Sequence, residues 1–137
     1  DGMTPLHYAA FNGHFRVCKL IIENISDKNP SSDKHNSITP LHWAAFNGHA
    51  KICQLIMEHL SDKNPANTSG EFTPFHLTAQ HGHVDICKLI MDNLMEKNPS
   101  CSSGTTPLSR ATVFGKLEVC QLFNENAIYE KEHELAT

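Results

Sequence analysis

Residues 4–14 read TPLHYAAFNGH, and this stretch decides the fold because the chain repeats it. The other three copies read TPLHWAAFNGH, TPFHLTAQHGH and TPLSRATVFGK, and they occupy residues 39–49, 73–83 and 106–116. Their first residues are spaced 35, 34 and 33 positions apart along the chain. Self-similarity at a period of roughly 20–50 residues is typical of stacked repeat proteins, so four structural units are predicted.

A second motif closes each of the first three units at a fixed distance. It reads DKNP at residues 27–30 and 62–65, and EKNP at residues 96–99. The acidic residue follows the first threonine of its unit by 23 positions every time. The variation in repeat length therefore falls in the loop between this motif and the next threonine. A packed unit of constant length joined by a surface loop of variable length fits these spacings.

Each unit is predicted to form two short helices. Thr is favoured at the N-cap and Pro at the first helical position, so a first helix is predicted from Pro5 to about Asn12. Gly13 ends this helix by adopting positive φ, and an apolar second helix follows. The predicted fold class is all-α: a solenoid of four stacked helix-turn-helix pairs with projecting, hairpin-like loops. A single domain is expected over residues 1–137, with repeats at about 1–35, 36–69, 70–103 and 104–137.

Composition limits the function and the setting. A formal net charge of -4 and the lack of any run of Lys or Arg argue against nucleic acid as a partner. No apolar stretch reaches the roughly 18 residues that span a bilayer, so no direct membrane insertion is expected. A monomer in the cytoplasm is expected, as a fragment of a longer chain. Four cysteines recur once per repeat in an apolar helix and are expected to be buried and reduced, which favours an intracellular location: Cys18, Cys53, Cys87 and Cys120.

The motifs resemble the ankyrin repeat over nearly the whole chain. The family pattern reads T-P-L-H-x-A-A-x-x-G-H, then V-V-K-L-L-L, then D-V-N. This chain has TPLHYAAFNGH at residues 4–14, CKLIIE at residues 18–23 and DKN at residues 27–29. The resemblance implies a protein–protein interaction module, in which the repeated histidines form local hydrogen bonds that cap helices and tie loops together.

Two departures from the family pattern carry structural predictions. Ile25, Leu60 and Leu94 replace the glycine that ends the second helix in the family, so these helices are expected to run longer. The fourth unit has Ser109 where the others have His, and it continues into the charged residues 130–134. That segment is expected to form a partial polar cap, because the ends of a solenoid need a polar outer face.

The sequence carries no recognisable catalytic or cofactor-binding motif. It has no glycine-rich phosphate loop, no G-x-S-x-G and no H-E-x-x-H. Histidines placed once per repeat are about 10 Å apart, too far to share a zinc ion. His81 and His83 lie two positions apart but have no accompanying cluster of Cys or carboxylates. The chain is therefore predicted not to be an enzyme, and no cofactor or metal is expected.

The predicted function is binding of another protein through the concave face, which the resemblance assigns to the loop tips and first helices. Apolar side chains at solvated positions favour partner contact, although packing against neighbouring repeats is the other interpretation. The alternative function is a structural spacer within a larger protein, and a small-molecule or metal site in the loops is the third hypothesis. The candidate partner-binding residues are Met3, Phe11, Asn12, Ile38, Trp43, Phe46, Asn47, Phe72, Gln80, His81 and Phe114.

The resemblance also implies sites of modification. Asparagines at the D-V-N position of ankyrin repeats are frequent substrates of an intracellular asparaginyl hydroxylase. The matching residues are Asn29, Asn64 and Asn98, and each is followed by a proline where the family has another residue.

Overall fold

The computed structural model describes residues 2–32, 34, 36–67, 70 and 72–136. This part of the chain forms eight α-helices in four helix-turn-helix pairs. The helices are α1 (Pro5–Asn12), α2 (Phe15–Asn24), α3 (Pro40–Asn47), α4 (Ala50–Met57), α5 (Pro74–His81), α6 (Val84–Asp92), α7 (Pro107–Val113) and α8 (Leu117–Ala136). The all-α solenoid predicted from the repeated motif is confirmed.

Local chemistry explains where the first helix of each pair begins and ends. In the second repeat the hydroxyl of Thr39 accepts a hydrogen bond from the backbone N–H of His42, and Pro40 occupies the first helical position. Gly48 ends the helix with φ at 78°, a left-handed conformation that is strained for L residues with a Cβ atom. These are the cap and stop signals that the sequence predicts.

The first helices of the four repeats form an inner layer, and the second helices form an outer layer. Neighbouring first helices approach one another more closely than neighbouring second helices do. Ala44, Ala45 and Ala79 are fully buried in the inner layer, where their small side chains permit this approach. Because the inner layer is the tighter one, the stack curves with α1, α3, α5 and α7 on its concave side.

Three of the four periodic cysteines belong to the core between the two layers. Cys18, Cys53 and Cys87 are completely buried, and burial raises the pKa of the Cys53 thiol to about 12. These thiols are therefore protonated and behave as small apolar side chains. Cys120 is only half-buried, contrary to the prediction, because its helix lies in the last described repeat and no further repeat covers it.

The DKN motif connects each repeat to the next, as the second repeat shows. The carboxylate of Asp62 accepts a hydrogen bond from the backbone N–H of Asn64 at 3.0 Å, which forms a turn. Lys63 reaches back and donates to the carbonyl oxygen of Met57 at the end of α4. The side-chain oxygen of Asn64 accepts from the backbone N–H of Phe75 at 2.9 Å, at the start of α5. One tripeptide thus satisfies backbone groups at two helix ends.

The lysine of the DKN motif and of its EKN counterpart explains why the prediction of longer second helices is wrong. Helices α2, α4 and α6 end at Asn24, Met57 and Asp92, before the residues that replace the family glycine. In the third repeat Lys97 donates to the carbonyl oxygen of Met91 at 2.8 Å and also to that of Leu94. A cation bound to the last carbonyl groups stabilises a helix C-terminus without a glycine.

Replacement of Lys63 by methionine is expected to lower the free energy of unfolding by about 1 kcal/mol, because it removes a charged donor from a helix C-terminus. Urea denaturation followed by circular dichroism measures this difference. Lys51→Met is the matched control, since Lys51 is exposed on α4. Equal stability of the two variants would contradict the capping role of Lys63.

The last helix extends well past the core. Val119 and Phe123 are its buried residues, and the side chains from 127 to 136 are exposed. The charged residues 130–134 are helical and surrounded by solvent rather than placed over the core. The predicted cap is therefore wrong in position: the first half of α8 covers the fourth repeat, with the Phe123 ring stacked on Phe75 at 5.5 Å.

The inter-repeat loops are hairpin-like, as predicted. Ser32 and Ile38 form an antiparallel bridge, and the backbone N–H of Asn67 donates to the carbonyl oxygen of Phe72 at 3.0 Å. The third loop has the same kind of contact, from Cys101 N–H to the carbonyl oxygen of Thr105 at 2.9 Å. Within the described ranges, no helix combines the length and the apolar character that crossing a membrane requires.

Candidate functional site

Buried histidines tie each loop to the first helix of the preceding repeat. The Nε2 atom of His7 lies 3.1 Å from the carbonyl oxygen of Ile38, and that of His42 lies 3.0 Å from the carbonyl oxygen of Phe72. A carbonyl oxygen only accepts, so Nε2 carries the proton and Nδ1 of the neutral ring is an acceptor. The backbone N–H of Thr39 lies 3.2 Å from Nδ1 of His42 and fills that role. The ties hold Ile38 and Phe72 at the edge of the concave face.

Burial keeps the rings of His42 and His76 neutral. It lowers the pKa of His42 to about 4, and the hydrogen bond to the carbonyl of Phe72 only partly opposes this change. Burial also lowers the pKa of His76, whose Nε2 lies 2.8 Å from the carbonyl oxygen of Thr105. At pH 7 both side chains are therefore fixed donors within the scaffold, as the family resemblance implies.

The fourth repeat keeps half of this arrangement. The hydroxyl of Ser109 accepts from the backbone N–H of Thr106 at 2.9 Å, the contact that the ring Nδ1 makes in the second repeat. The other half, a donor to the next loop, has no counterpart because no further repeat follows in the described chain. Serine at this position thus makes the one hydrogen bond that is required there in the last described repeat.

A second row of hydrogen bonds ties each repeat back to the one before it. The Nε2 atom of His49 and the side-chain amide of Asn47 each lie 3.0 Å from the carbonyl oxygen of Phe11. His83 makes the equivalent contact with the carbonyl oxygen of Phe46 at 3.0 Å. The amide of Asn47 is therefore engaged between repeats, which favours the packing interpretation for this candidate residue.

Aromatic rings form a continuous row along the concave face. The rings of Phe11 and Trp43 meet edge to face with centroids 5.3 Å apart, and Trp43 and Phe46 follow at 6.0 Å. The ring of His81 lies against Phe46 with a centroid distance of 4.3 Å. Phe11 remains 41% exposed, and Trp43 and Phe46 are half-buried. The same side chains thus pack between repeats and present apolar surface to solvent.

A pocket of about 200 Å³ opens between the second and third repeats on this face. Four candidate residues line it, together with Leu77 and His42: Ile38, Trp43, Phe46 and Phe72. The histidine tie to the carbonyl of Phe72 forms one wall, because it draws the third-repeat threonine loop against α3. The pocket is therefore apolar and preformed.

Arg110 borders this pocket through Phe72. Its guanidinium carbon lies 4.8 Å from the centre of the Phe72 ring. Its Nη1 donates to the side-chain oxygen of Gln80 at 2.6 Å. A planar cation stacked over an aromatic ring is held in place by dispersion and by the ring quadrupole.

A family model described as ankyrin repeats (3 copies) matches residues 1–67 of this chain and again residues 60–132. The chain belongs to the ankyrin repeat family. Ankyrin repeats are generally protein–protein interaction modules, and the family is typically non-catalytic. The search of curated proteins found no match.

The ankyrin repeat stack brings together some candidate residues and leaves others apart. Phe11, Gln80 and His81 contact residues that line the pocket or border it. Met3 is half-buried, Asn12 is exposed with its amide on the carbonyl of Tyr8, and Phe114 is 52% exposed at the end of α7; none of the three lines the pocket.

Besides His42 of the scaffold, two residues at the pocket are missing from the sequence-based candidates: Leu77 and Arg110. They occupy the position that Trp43 has in the second ankyrin repeat, 34 and then 33 residues further along the chain. Extending the register of Trp43 through the repeats identifies both. What the sequence does not indicate is that Arg110 lies over Phe72 of the preceding loop.

The asparagines proposed for hydroxylation lie in the connections between ankyrin repeats. Their side-chain oxygens accept from backbone N–H groups that start the next first helix, at distances of 2.9–3.0 Å: Asn29 from Leu41, Asn64 from Phe75 and Asn98 from Leu108. Modification of these residues stays a prediction. In the described part of the chain, no group of three or more His, Cys, Asp or Glu side chains is arranged to hold a metal ion.

Proposed function

We propose that this ankyrin repeat domain binds another protein as a non-catalytic module, through the concave pocket between its second and third repeats and the aromatic row beside it. The observation that carries the proposal is the apolar pocket lined by Ile38, Trp43 and Phe72. Exposed aromatic and apolar patches of this kind mark interaction sites. Aromatic residues are also enriched among those that dominate binding energies.

The energetics favour an apolar anchor from the partner. Burial of one Leu-sized side chain in such a pocket contributes roughly 1.5–3 kcal/mol. The histidine ties of His7 and His42 fix the loops that carry Ile38 and Phe72 before any partner arrives. Little conformational entropy is lost at the surface on binding, and this preorganisation raises affinity.

Exposed aromatic residues on the first and fourth repeats support a surface larger than one side chain. Tyr8 and Phe114, on the first and fourth repeats, are 52% exposed, and Phe11 continues the row from Trp43. A partner segment lying across the concave face would cover several repeats at once. We propose that the domain is a monomer when it does so.

The test compares two lysine substitutions of half-buried apolar residues, one at the pocket and one on the outer layer of second helices. Ile38→Lys places an ammonium at the pocket, and the lysine stem keeps its contact with the apolar surface. Leu55→Lys is the control, since Leu55 is also half-buried and apolar but lies on the second helix of the same repeat. We expect Ile38→Lys to weaken partner binding by about tenfold or more, and Leu55→Lys to leave it unchanged.

Binding is measured by quantitative affinity capture from the cells that produce the protein, followed by titration of the captured partner with the purified variants. Thermal unfolding of both variants checks that the fold is kept. Retention of every partner by a folded Ile38→Lys variant would remove the concave-face proposal. It would favour the structural spacer instead, because a spacer needs no binding pocket.

A further inference from the structure

Charge is distributed unevenly between the two helix layers. The four first helices contain no Asp or Glu, and Arg110 is their only Lys or Arg. The second helices and the DKN motifs carry most of the acidic residues, including Glu23, Asp85 and Glu118. The first helices, which form the inner layer of the stack, are therefore apolar with a single cation, in a chain whose net charge is negative.

Arg110 is held in place by neutral groups. Its guanidinium is stacked over Phe72 and donates to the amide oxygen of Gln80, and the side chain is half-buried. No carboxylate of the described residues pairs with it. The guanidinium fork fits a carboxylate through two parallel hydrogen bonds, which a single amide oxygen does not satisfy.

The same face holds two buried hydrogen-bond donors that lack an acceptor. They are Nε1 of Trp43 and Nε of Arg110, and neither has a hydrogen-bond partner among the described residues. A buried donor without an acceptor destabilises the structure that contains it. Trp43 lines the pocket and Arg110 borders it, but both nitrogen atoms are enclosed by protein, so a ligand pairs instead with the part of the Arg110 side chain that is not buried.

We propose that the occupant of this pocket is an extended segment of a partner protein with an apolar side chain followed, two residues along, by an aspartate or glutamate. The apolar side chain fills the pocket, and the carboxylate pairs with the guanidinium of Arg110. This inference rests on the proposed function and adds the chemistry of the partner to it.

The spacing of two residues follows from the geometry of extended chains. Side chains alternate in direction along such a segment, so residue i+2 faces the same way as residue i, about 7 Å further on. Phe72 lines the pocket on one side and lies 4.8 Å from the Arg110 guanidinium on the other. A carboxylate in the next position on the same face therefore reaches the cation.

The experiment selects peptides of twelve random residues displayed on phage, with the 137-residue chain as bait. A fluorescein-labelled copy of the most enriched peptide is then titrated by fluorescence anisotropy. A second copy has its acidic residue replaced by the corresponding amide. Both peptides are measured against the parent protein, Arg110→Gln, Ile38→Lys and Arg16→Gln. Arg16→Gln is the control because it makes the same change of charge at an exposed position on α2.

We expect enriched peptides to contain an apolar residue followed at i+2 by Asp or Glu. Arg110→Gln and the acid-to-amide change are each expected to weaken binding by roughly tenfold or more, and the two together no further, because they remove one interaction. Arg16→Gln is expected to bind like the parent. Enriched peptides without an acid, or equal affinity of Arg110→Gln and the parent, would overturn the carboxylate proposal.

The remaining outcomes distinguish a failure of the carboxylate proposal from a failure of the proposed function on which it rests. If Ile38→Lys abolishes peptide binding while Arg110→Gln does not change it, the binding surface stands and the carboxylate partner is wrong. If Ile38→Lys has no effect on the enriched peptides, the peptides bind elsewhere and the concave pocket is wrong. A selection that enriches no peptide above the level of an unrelated bait overturns both.

Discussion

Acidification from pH 7 to pH 5 is expected to lower the free energy of unfolding by on the order of 2 kcal/mol through His42 alone. Burial lowers the pKa of this ring from its ordinary 6.5 to about 4 in the folded protein. As the pH falls below 6.5, His42 binds a proton in the unfolded chain but stays neutral in the folded chain. The stability is therefore complete above pH 6.5, decreases between pH 6.5 and pH 4, and decreases no further below pH 4. His76 adds to the same trend, because burial lowers its pKa too.

Urea denaturation at several pH values measures this dependence. The same measurement on the variant His42→Ser shows how much of it is due to His42. Serine at the equivalent position of the fourth repeat keeps the contact with the threonine N–H, through Ser109 and Thr106. The variant is less stable at pH 7, since the bond to Phe72 is lost, but its stability changes less between pH 7 and pH 5. His14→Ser, at an exposed position, is expected to keep the stability of the parent at pH 7. A pH dependence that is the same in His42→Ser and the parent would show that another group is responsible.

Sequence alone predicts the first helices well because their signals are local. Thr39, Pro40 and Gly48 each act within a few residues of the helix end that they define. The end of the second helix was mispredicted because its cap comes from further along the chain. Lys63 donates to a carbonyl six residues earlier, and no pattern of apolar residues reports such a contact.

The geometry of the candidate site is even harder to predict from sequence than the end of the second helix. The register of the repeats groups Ile38, Trp43 and Phe46 as candidates, and the structure places these three side chains around one pocket. The pocket itself depends on His42 drawing in Phe72, which is 30 residues away. Partner contact and inter-repeat packing do not exclude each other, because Phe46 packs against the ring of His81 and also lines the pocket. A choice between these interpretations was therefore not available from spacing alone.

Gly48→Ala is expected to lower the free energy of unfolding by on the order of 2–3 kcal/mol, from two separate causes. The first is backbone strain, since Gly48 has φ at 78°, where a Cβ atom meets the following carbonyl oxygen. The second is a steric clash: a Cβ on Gly48 would lie 2.7 Å from Cε1 of His83 and 2.8 Å from its Nδ1. The ring must shift to relieve this, and the shift disrupts its hydrogen bond to the carbonyl of Phe46.

Gly115→Ala separates the two causes because the fourth repeat has the same turn without the histidine of a following repeat. Gly115 also has positive φ, at 68°, but no described atom lies within 4 Å of the position of an added Cβ. Only the strain remains there, about 1–2 kcal/mol. Urea denaturation of both variants should therefore show a larger loss for Gly48→Ala, and the double variant Gly48→Ala/His83→Ala should lose little more than His83→Ala plus the strain. If Gly48→Ala and Gly115→Ala lose equal stability, the contact of the His83 ring with the carbonyl oxygen of Phe46 adds nothing measurable to the stability of the stack.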